Sequence, residues 1–349
     1  MSRTALEMDA QFEALERTFR SVLAMRGDIR RFFASAPGAS VHYLGCGSGY
    51  ALCRSGARQL AVRTGRPASA WAAGDVLLHA GRYAAAMSGG LLVAPTRSGR
   101  TTEVVRAVEA VRAAAGRRVP LLSVVCATDT PVGALSDLCV ELPWAFDESV
   151  CQTRSVSNLY LAQALAAAFV ADDARLPADL QRAVAAGPGF RDRYAAALKG
   201  IAAQDWTEAV VLADGEASGL AAEGALAFLE IAGIAGRQYH VLDARHGPMA
   251  TIGRKTLVLV LRDGEGDPAV RALIAETVSR GATVVACSGL PRTPVPGTAL
   301  EATIGVALDP AAQALPFLYL AQALAVGKAE ALGIDPDRPD GITAWVALP

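Results

Sequence analysis

One arrangement of segments is written twice in this chain, and few folds can hold it. Val41-His42-Tyr43-Leu44, Leu91–Ala94, Leu121–Cys126 and Leu138–Leu142 are short β-rich runs, apolar enough to be buried on both faces. Residues 8–33, 50–64, 101–115 and 156–172 read as helices. Strands alternating with helices predict an α/β fold, a parallel sheet covered on both sides. The order then recurs. Val210–Gly215 answers Tyr43–Gly47, Thr256–Arg262 answers Leu91–Arg97, Val284–Cys287 answers Val124–Cys126, and Ala302–Leu308 answers Leu138–Leu142. An offset held near about 165 residues across these anchors is the signature of a duplication. The boundary is expected within Leu176–Arg193, where Pro177, Gly187, Pro188 and Gly189 cluster. The expected organisation is an N-terminal helical segment over 1–39, a first domain over 40–176 and a second over 194–345.

Composition supports this and removes some function classes. The chain has 349 residues, enough for two domains, and its 52% hydrophobic content against 19% charged supplies two cores. Lys+Arg (33) nearly equals Asp+Glu (34), and no long basic run occurs, which argues against a nucleic-acid surface. The opening Met1-Ser2-Arg3-Thr4-Ala5-Leu6-Glu7 has no apolar core of a signal peptide. No apolar run reaches the roughly 18 residues of a membrane span. A cytoplasmic protein is expected. The six cysteines form no Cys-x-x-Cys and no zinc-type pairing with the four histidines, so reduced cysteines and no metal are expected.

The chemistry concentrates after the Leu91–Ala94 run. Pro95-Thr96-Arg97-Ser98-Gly99-Arg100-Thr101-Thr102 places hydroxyls at 96, 98, 101 and 102 ahead of a helix whose Val104, Ala107, Val108 and Val111 share one face. First-turn N–H groups lack intrahelical partners and the helix dipole adds partial positive charge there. With Gly99 permitting close backbone approach, this reads as a phosphate pocket. The second copy instead has Arg262-Asp263-Gly264-Glu265-Gly266-Asp267, whose acids would repel a phosphate, so only the first copy should hold one.

Other motifs are weaker. Gly45-Cys46-Gly47-Ser48-Gly49 lacks the last glycine of a dinucleotide fingerprint, because Tyr50 stands there. Read as an adenosylmethionine loop, it explains neither the duplication nor the hydroxyl loop. As a first βα turn it still lies where ligands bind in doubly wound sheets. The polar stretch 147–158 leads into an apolar helix; Ser155 or Ser157 could cap it, whereas Gln152 and Thr153 suit the hydroxyls of a sugar. In the second copy, Glu223 and Glu230 lie on one helix face amid apolar neighbours. A carboxylate in such a setting is suited to proton transfer. His246 precedes Gly247-Pro248, which fixes a loop.

These residues resemble the sugar isomerase (SIS) domain family in its tandem form. The similarity extends to the isomerase half of glucosamine-6-phosphate synthase and to the AgaS-type amino-sugar-6-phosphate deaminase/isomerases. It covers residues from about 40 to 345 and rests on the Ser/Thr-x-Ser-Gly-x-Thr loop at Thr96–Thr101, with Arg97 nearer the AgaS type, and on the spacing of Glu230 to His246-Gly247-Pro248. The resemblance implies two flavodoxin-like αβα domains. Phosphate would be held by Ser48, Thr96, Ser98 and Thr101, within a site that also includes Gly47, Gly49, Arg97, Gly99, Gln152 and Thr153. It implies Glu230 as the base moving a proton between C1 and C2 of a sugar phosphate. His246 would assist ring opening, reaching in from a neighbouring subunit of a homodimer or larger homo-oligomer, with no cofactor. Two departures stand out: Ala227 and Ala344 occupy positions where the synthase has lysines. No glutaminase domain precedes the first repeat, so the synthase reaction is not expected. An isomerase or deaminase/isomerase is expected, with a catalytically silent sugar-phosphate-binding regulator as the alternative.

Overall fold

A strand whose residues are apolar on both sides must be hydrogen-bonded along both edges and covered on both faces, because a buried unpaired N–H or C=O costs as much as a lost hydrogen bond. In a computed structural model, which describes residues 1–36, 38–264 and 266–348, the chain meets that demand twice. The first sheet contains β1 (Val41–Gly45), β2 (Ala68–Ala72), β3 (Leu91–Thr96), β4 (Leu121–Val125) and β5 (Leu138–Glu141), all parallel, in the order β2-β1-β3-β4-β5. The second contains β6 (Glu208–Leu212), β7 (Ala235–Tyr239), β8 (Thr256–Arg262), β9 (Thr283–Ser288) and β10 (Leu300–Thr303), again all parallel, in the order β7-β6-β8-β9-β10. Strand for strand the two orders are the same, the flavodoxin-like winding. The expected α/β class and duplicated parallel sheets are what the chain adopts. Among the described residues no helix is long and apolar enough to cross a membrane.

The chain divides into two compact units. One comprises Glu13–Ala178 with Thr343–Pro349 and carries the first sheet; the other comprises Met1–Phe12 with Asp179–Ile342 and carries the second. The stretch expected as one helical segment over 1–39 is three helices, Arg3–Asp9, Gln11–Ala24 and Arg26–Ala34. No proline marks the interruptions, so the apolar period reads through them. The division between the units at Ala178/Asp179 falls within the Leu176–Arg193 stretch expected as the boundary, and a single helix, Arg175–Ala202, runs through it. Its Pro/Gly cluster serves packing: a Cβ on Gly187 would stand 2.0 Å from the Phe12 ring. Phe12 in turn packs on Tyr319, whose ring also meets Phe190.

The edge strands depart most from expectation. β5 is only partly buried because it pairs on one side alone, and β10 ends at Thr303, short of the expected Leu308, with Gly305 at φ +87° beyond it. β7, which the run pattern passes over, reads Ala-Gly-Arg-Gln-Tyr; its Gly236 is needed because a Cβ there would meet the Ala225 carbonyl at 1.9 Å.

In the second unit the place of the hydroxyl loop is taken by an internal ion pair. Arg262 is fully buried at the end of β8, its Nε and Nη2 donating to the Asp267 carboxylate at 3.0–3.2 Å and its Nη1 to Glu301 at 3.0 Å. Asp267 opens the Asp267–Ser279 helix, so the first turn receives a carboxylate of its own chain. Glu265, named above among the repelling acids, lies outside the described residues.

At the other end of the first sheet, His42 is buried in β1. Trp71 Nε1 donates to its Nδ1 at 3.2 Å and Ser40 Oγ lies 2.9 Å from its Nε2, while Ser69 Oγ stands 2.9 Å from Nδ1. A neutral ring protonated on Nε2 satisfies these partners. Burial holds the His42 pKa below its usual 6.5. As pH falls through that value the unfolded chain takes up a proton before the folded one, so the stabilisation is complete above about pH 6.5 and is lost below it. Denaturation curves between pH 8 and about pH 5 should show stability falling on the acid side. His42→Gln should flatten that slope; an unchanged slope would place the titrating group elsewhere.

Candidate functional site

In a β2-β1-β3 winding the chain leaves β1 in opposite directions, which opens a crevice at the carboxyl ends of β1 and β3. The two loops that follow these strands are the Gly45–Gly49 turn and the hydroxyl loop. The latter is tied down on its far side: Cys126 N donates to Arg97 O at 3.0 Å and Val132 N to Gly99 O at 3.1 Å. Gly99 has φ +60°, and a Cβ there would lie 2.6 Å from Thr130, so this bend accepts only glycine. Within the loop, Thr96 Oγ1 accepts from Gly99 N (3.3 Å) and Ser98 Oγ from Arg100 N (3.1 Å). Thr101 is the residue before the Thr102–Ala115 helix, yet its hydroxyl makes no capping bond.

Thr96, Arg97, Ser98 and Thr101 line one small pocket with Cys46 and Gly49 from the β1 turn, and Gln152 and Ala344 form further parts of its wall. Gly49 approaches closely, since a Cβ there would stand 3.0 Å from Pro95 O. Cys46 is uncharged: burial and the Glu103 carboxylate push its thiol up to about 11. An anion therefore meets hydroxyls, amides, a neutral thiol and the Arg97 side chain. Gly47, exposed at φ +50°, and buried Ser48 at the start of the Ser48–Thr64 helix lie beside this pocket in the chain without lining it. Gly99 shapes the loop, also from outside the lining.

The Gln152 wall is held by a residue whose role sequence reading left unassigned. Asp147, buried, accepts from the N–H groups of Thr153 (2.9 Å), Arg154 (3.2 Å) and Ser155 (2.8 Å) and from Ser155 Oγ (2.6 Å). It is the anion at the start of the Arg154–Ala171 helix, supplied from a distance. Thr153, expected among the sugar contacts, is fully buried and turned toward Asp147. The signal that could have revealed Asp147 is an acid just ahead of a helix start. Arg97 donates through Nη1 to Ser149 O (2.6 Å) and Asp147 O (3.5 Å) and through Nη2 to Ala344 O, with its guanidinium 5.9 Å from the Phe146 ring centroid. Ala344, singled out in the sequence only as a departure from the synthase's lysine, thus joins this pocket.

In the other unit, Glu230 sits half-buried in the last turn of the Ser218–Ala232 helix and lines a groove of about 630 Å³ with Leu226, Asp335, Arg338 and Asp340. The 335–340 turn is fixed by Asp337, which accepts from Arg3 N (2.7 Å), Thr4 N (2.8 Å) and Thr4 Oγ1 (2.7 Å). Burial opposes its charge, but those hydrogen bonds win and hold its carboxyl below the usual 3.8. Ala227 is buried one turn before Glu230. His246 is exposed after the Leu242–Arg245 turn, with its N–H on Asp243 O at 2.8 Å, and Gly247 follows at φ +116°. His246 is not among the residues lining the Glu230 groove. Beyond the ends of β6 and β7, Asp214 accepts from Val241 N at 3.0 Å and lies 3.1 Å from His240 Nδ1, a half-exposed pair that the motif reading passed over.

Residues 204–327 match the family described as the SIS domain. A glutamine–fructose-6-phosphate aminotransferase (isomerizing) from Aeropyrum pernix is 27% identical over 74% of this chain, and the matched part is 43% of that protein; the chain thus spans less than half the length of such relatives. A tagatose-6-phosphate ketose/aldose isomerase from Escherichia coli superposes with a TM-score of 0.84 at 23% identity, covering 100% of this chain and 96% of that one. A glucosamine-6-phosphate deaminase from Thermotoga maritima superposes with a TM-score of 0.76 at 24% identity, covering 95% and 99%. At those identities the superpositions establish a shared fold.

The Asp147 hub generates a stability prediction. Asp147→Ala strands buried N–H groups at a helix start and should cost about 3 kcal/mol. Urea unfolding should show a lower midpoint at unchanged slope. A midpoint equal to that of the parent would mean that water replaces the carboxylate.

Proposed function

We propose that this chain, whose residues 204–327 match the SIS domain, is a sugar-phosphate isomerase, or a deaminase/isomerase where the sugar carries a C2 amine. The observation that carries this reading is the hydroxyl pocket at the β1/β3 crevice, with Thr96, Ser98 and Thr101 facing it beside Gly49. Such a set offers neutral donors to a dianionic phosphate at a helix start. Ser48 and Gly47 stand next to it on the neighbouring turn, and Gln152, which lines the pocket, is the proposed contact to a sugar hydroxyl. The proposed base is Glu230, in the copy whose own anion position is filled by Asp267. It would take the proton from C2 of the open-chain aldose and return it at C1, passing through an enediol, or an enolamine for an amino sugar. His246 is the proposed acid/base for ring opening, in a cytoplasmic homodimer or larger homo-oligomer. Neither Ala227 nor Ala344 brings an amine, so the proton transfer is assigned to Glu230 alone.

Two variants separate anchoring from chemistry. Ser98→Ala with Thr101→Ala removes two hydrogen bonds to a charged group, each worth roughly 1.5–3 kcal/mol. Calorimetric affinity for a hexose 6-phosphate should therefore drop at least about tenfold; an undiminished affinity would move the anion elsewhere.

Glu230→Gln keeps shape and polarity but removes the base. Turnover should fall by roughly 10²–10⁴-fold while phosphate affinity changes little. Solvent deuterium should enter C1 or C2 with the parent protein, and ammonia release from hexosamine 6-phosphates reports the deaminase branch. If no hexose or hexosamine 6-phosphate exchanges deuterium, the regulatory alternative gains; if the Gln variant turns over normally, the base is another residue.

A further inference from the structure

The pocket has a wall that comes from far along the chain. The 343–348 segment belongs to the same compact unit as the hydroxyl loop. It is strapped across the start of the Thr102–Ala115 helix by two hydrogen bonds: Thr102 N donates to Val346 O at 3.3 Å, and Leu348 N donates to the Thr102 side chain, Oγ1, at 3.2 Å. Its side chains hold it only in part, for Trp345, Val346 and Leu348 are 44%, 47% and 37% exposed. A segment held by a few hydrogen bonds, with its apolar groups only partly buried, opens at lower cost than the sheet beneath it. What fixes it at the pocket itself is the bond from Arg97 to Ala344 O.

Arg97 is buried, with 4% of its surface exposed, and the same guanidinium reaches Ser149 O and Asp147 O on the loop that carries Gln152. We propose that Arg97 is a positioning residue, pinning the 343–348 segment and the 147–152 loop as two walls of the hydroxyl pocket and acting on a bound anion through those walls. Only arginine can do this. Its planar fork presents several N–H donors in fixed directions, which match carbonyls approaching from two sides, whereas a lysine ammonium is a compact point charge on a flexible stem. The walls matter because the pocket's hydroxyls need partners placed opposite them, and a loosened wall admits water that competes for the same donors. The proposal rests on the phosphate reading of this pocket only for its second readout; the first is independent of any ligand.

The test compares Arg97→Lys, Arg97→Gln and the parent by amide hydrogen exchange without ligand and by calorimetry with inorganic phosphate. A pin predicts that both variants behave alike. Exchange at the Thr102 and Leu348 amides should rise about tenfold or more while β3 and β4 amides stay protected, and phosphate affinity should fall by a similar factor. If Arg97→Lys keeps parental affinity, the charge rather than the fork is what counts, and the proposal is overturned. Unmoved exchange at Thr102 and Leu348 overturns it equally. Should the Arg97 variants lose protection throughout, Thr102→Val takes their place: it removes the acceptor for Leu348 N and leaves Arg97 intact. Loosened 343–348 amides with weaker phosphate binding then support the pin, and loosened amides with parental binding refute it. A parent that binds no phosphate discards the phosphate reading, and the ligand-free exchange alone then decides the role of Arg97.

Discussion

Buried parallel strands impose one condition from which the rest of this protein follows. Their peptide groups can be paired only within the sheet, and their two apolar faces can be covered only by helices, so each strand must hand the chain to a crossover and receive it back parallel. With β1 central and the crossovers leaving it in opposite directions, a crevice opens at the carboxyl ends of β1 and β3. Every residue of the hydroxyl pocket is there because a loop after one of those strands, or a segment laid over them, reaches that crevice.

Each unit buries an arginine near the end of its third strand, and the partners of the two differ. Arg262 donates to the carboxylates of Asp267 and Glu301, so the second unit's helix start is supplied with an anion by its own chain. Arg97 donates to main-chain carbonyls and so gathers segments around an opening. The same frame, built twice, is thereby closed in one copy and left receptive in the other. That leaves the second copy to present Glu230 from a helix, with an immobilised turn around Asp337 forming the opposite side of its groove.

Much of this is legible in the sequence because its determinants are local. Apolar runs such as Leu91–Ala94 and Thr256–Arg262 can only be strands buried on both faces, and their repetition at a fixed offset gives the second sheet from the first. The hydroxyl loop is legible for the same reason: its glycine, its hydroxyls and the helix that follows are consecutive. Less legible are elements whose identity depends on neighbours. β7 has no apolar run, and Gly236 is there only because Ala225 passes so close. Gly187 and Pro188 mark a boundary in the sequence, but only the structure shows that they lie inside a helix on which Phe12 packs. Thr153 reads as a sugar ligand until the Asp147 carboxylate, six positions earlier, turns it inward.

The sequence by itself therefore determined the class of fold, its duplication, the copy whose third-strand loop carries the hydroxyls and the glutamate set on a helix in the other copy. Those are properties of contiguous residues and of spacing, which covalent connectivity preserves. Tertiary structure decided which groups are spent and which remain available. Thr153 is spent on Asp147, whereas Thr101 keeps its hydroxyl out of its own helix cap; Arg97 is directed at carbonyls of residues 147, 149 and 344, and Ala344 becomes part of a pocket wall. Such outcomes depend on which distant groups the fold brings within reach of each donor and acceptor, and an N–H or O–H directed at one partner is turned away from others.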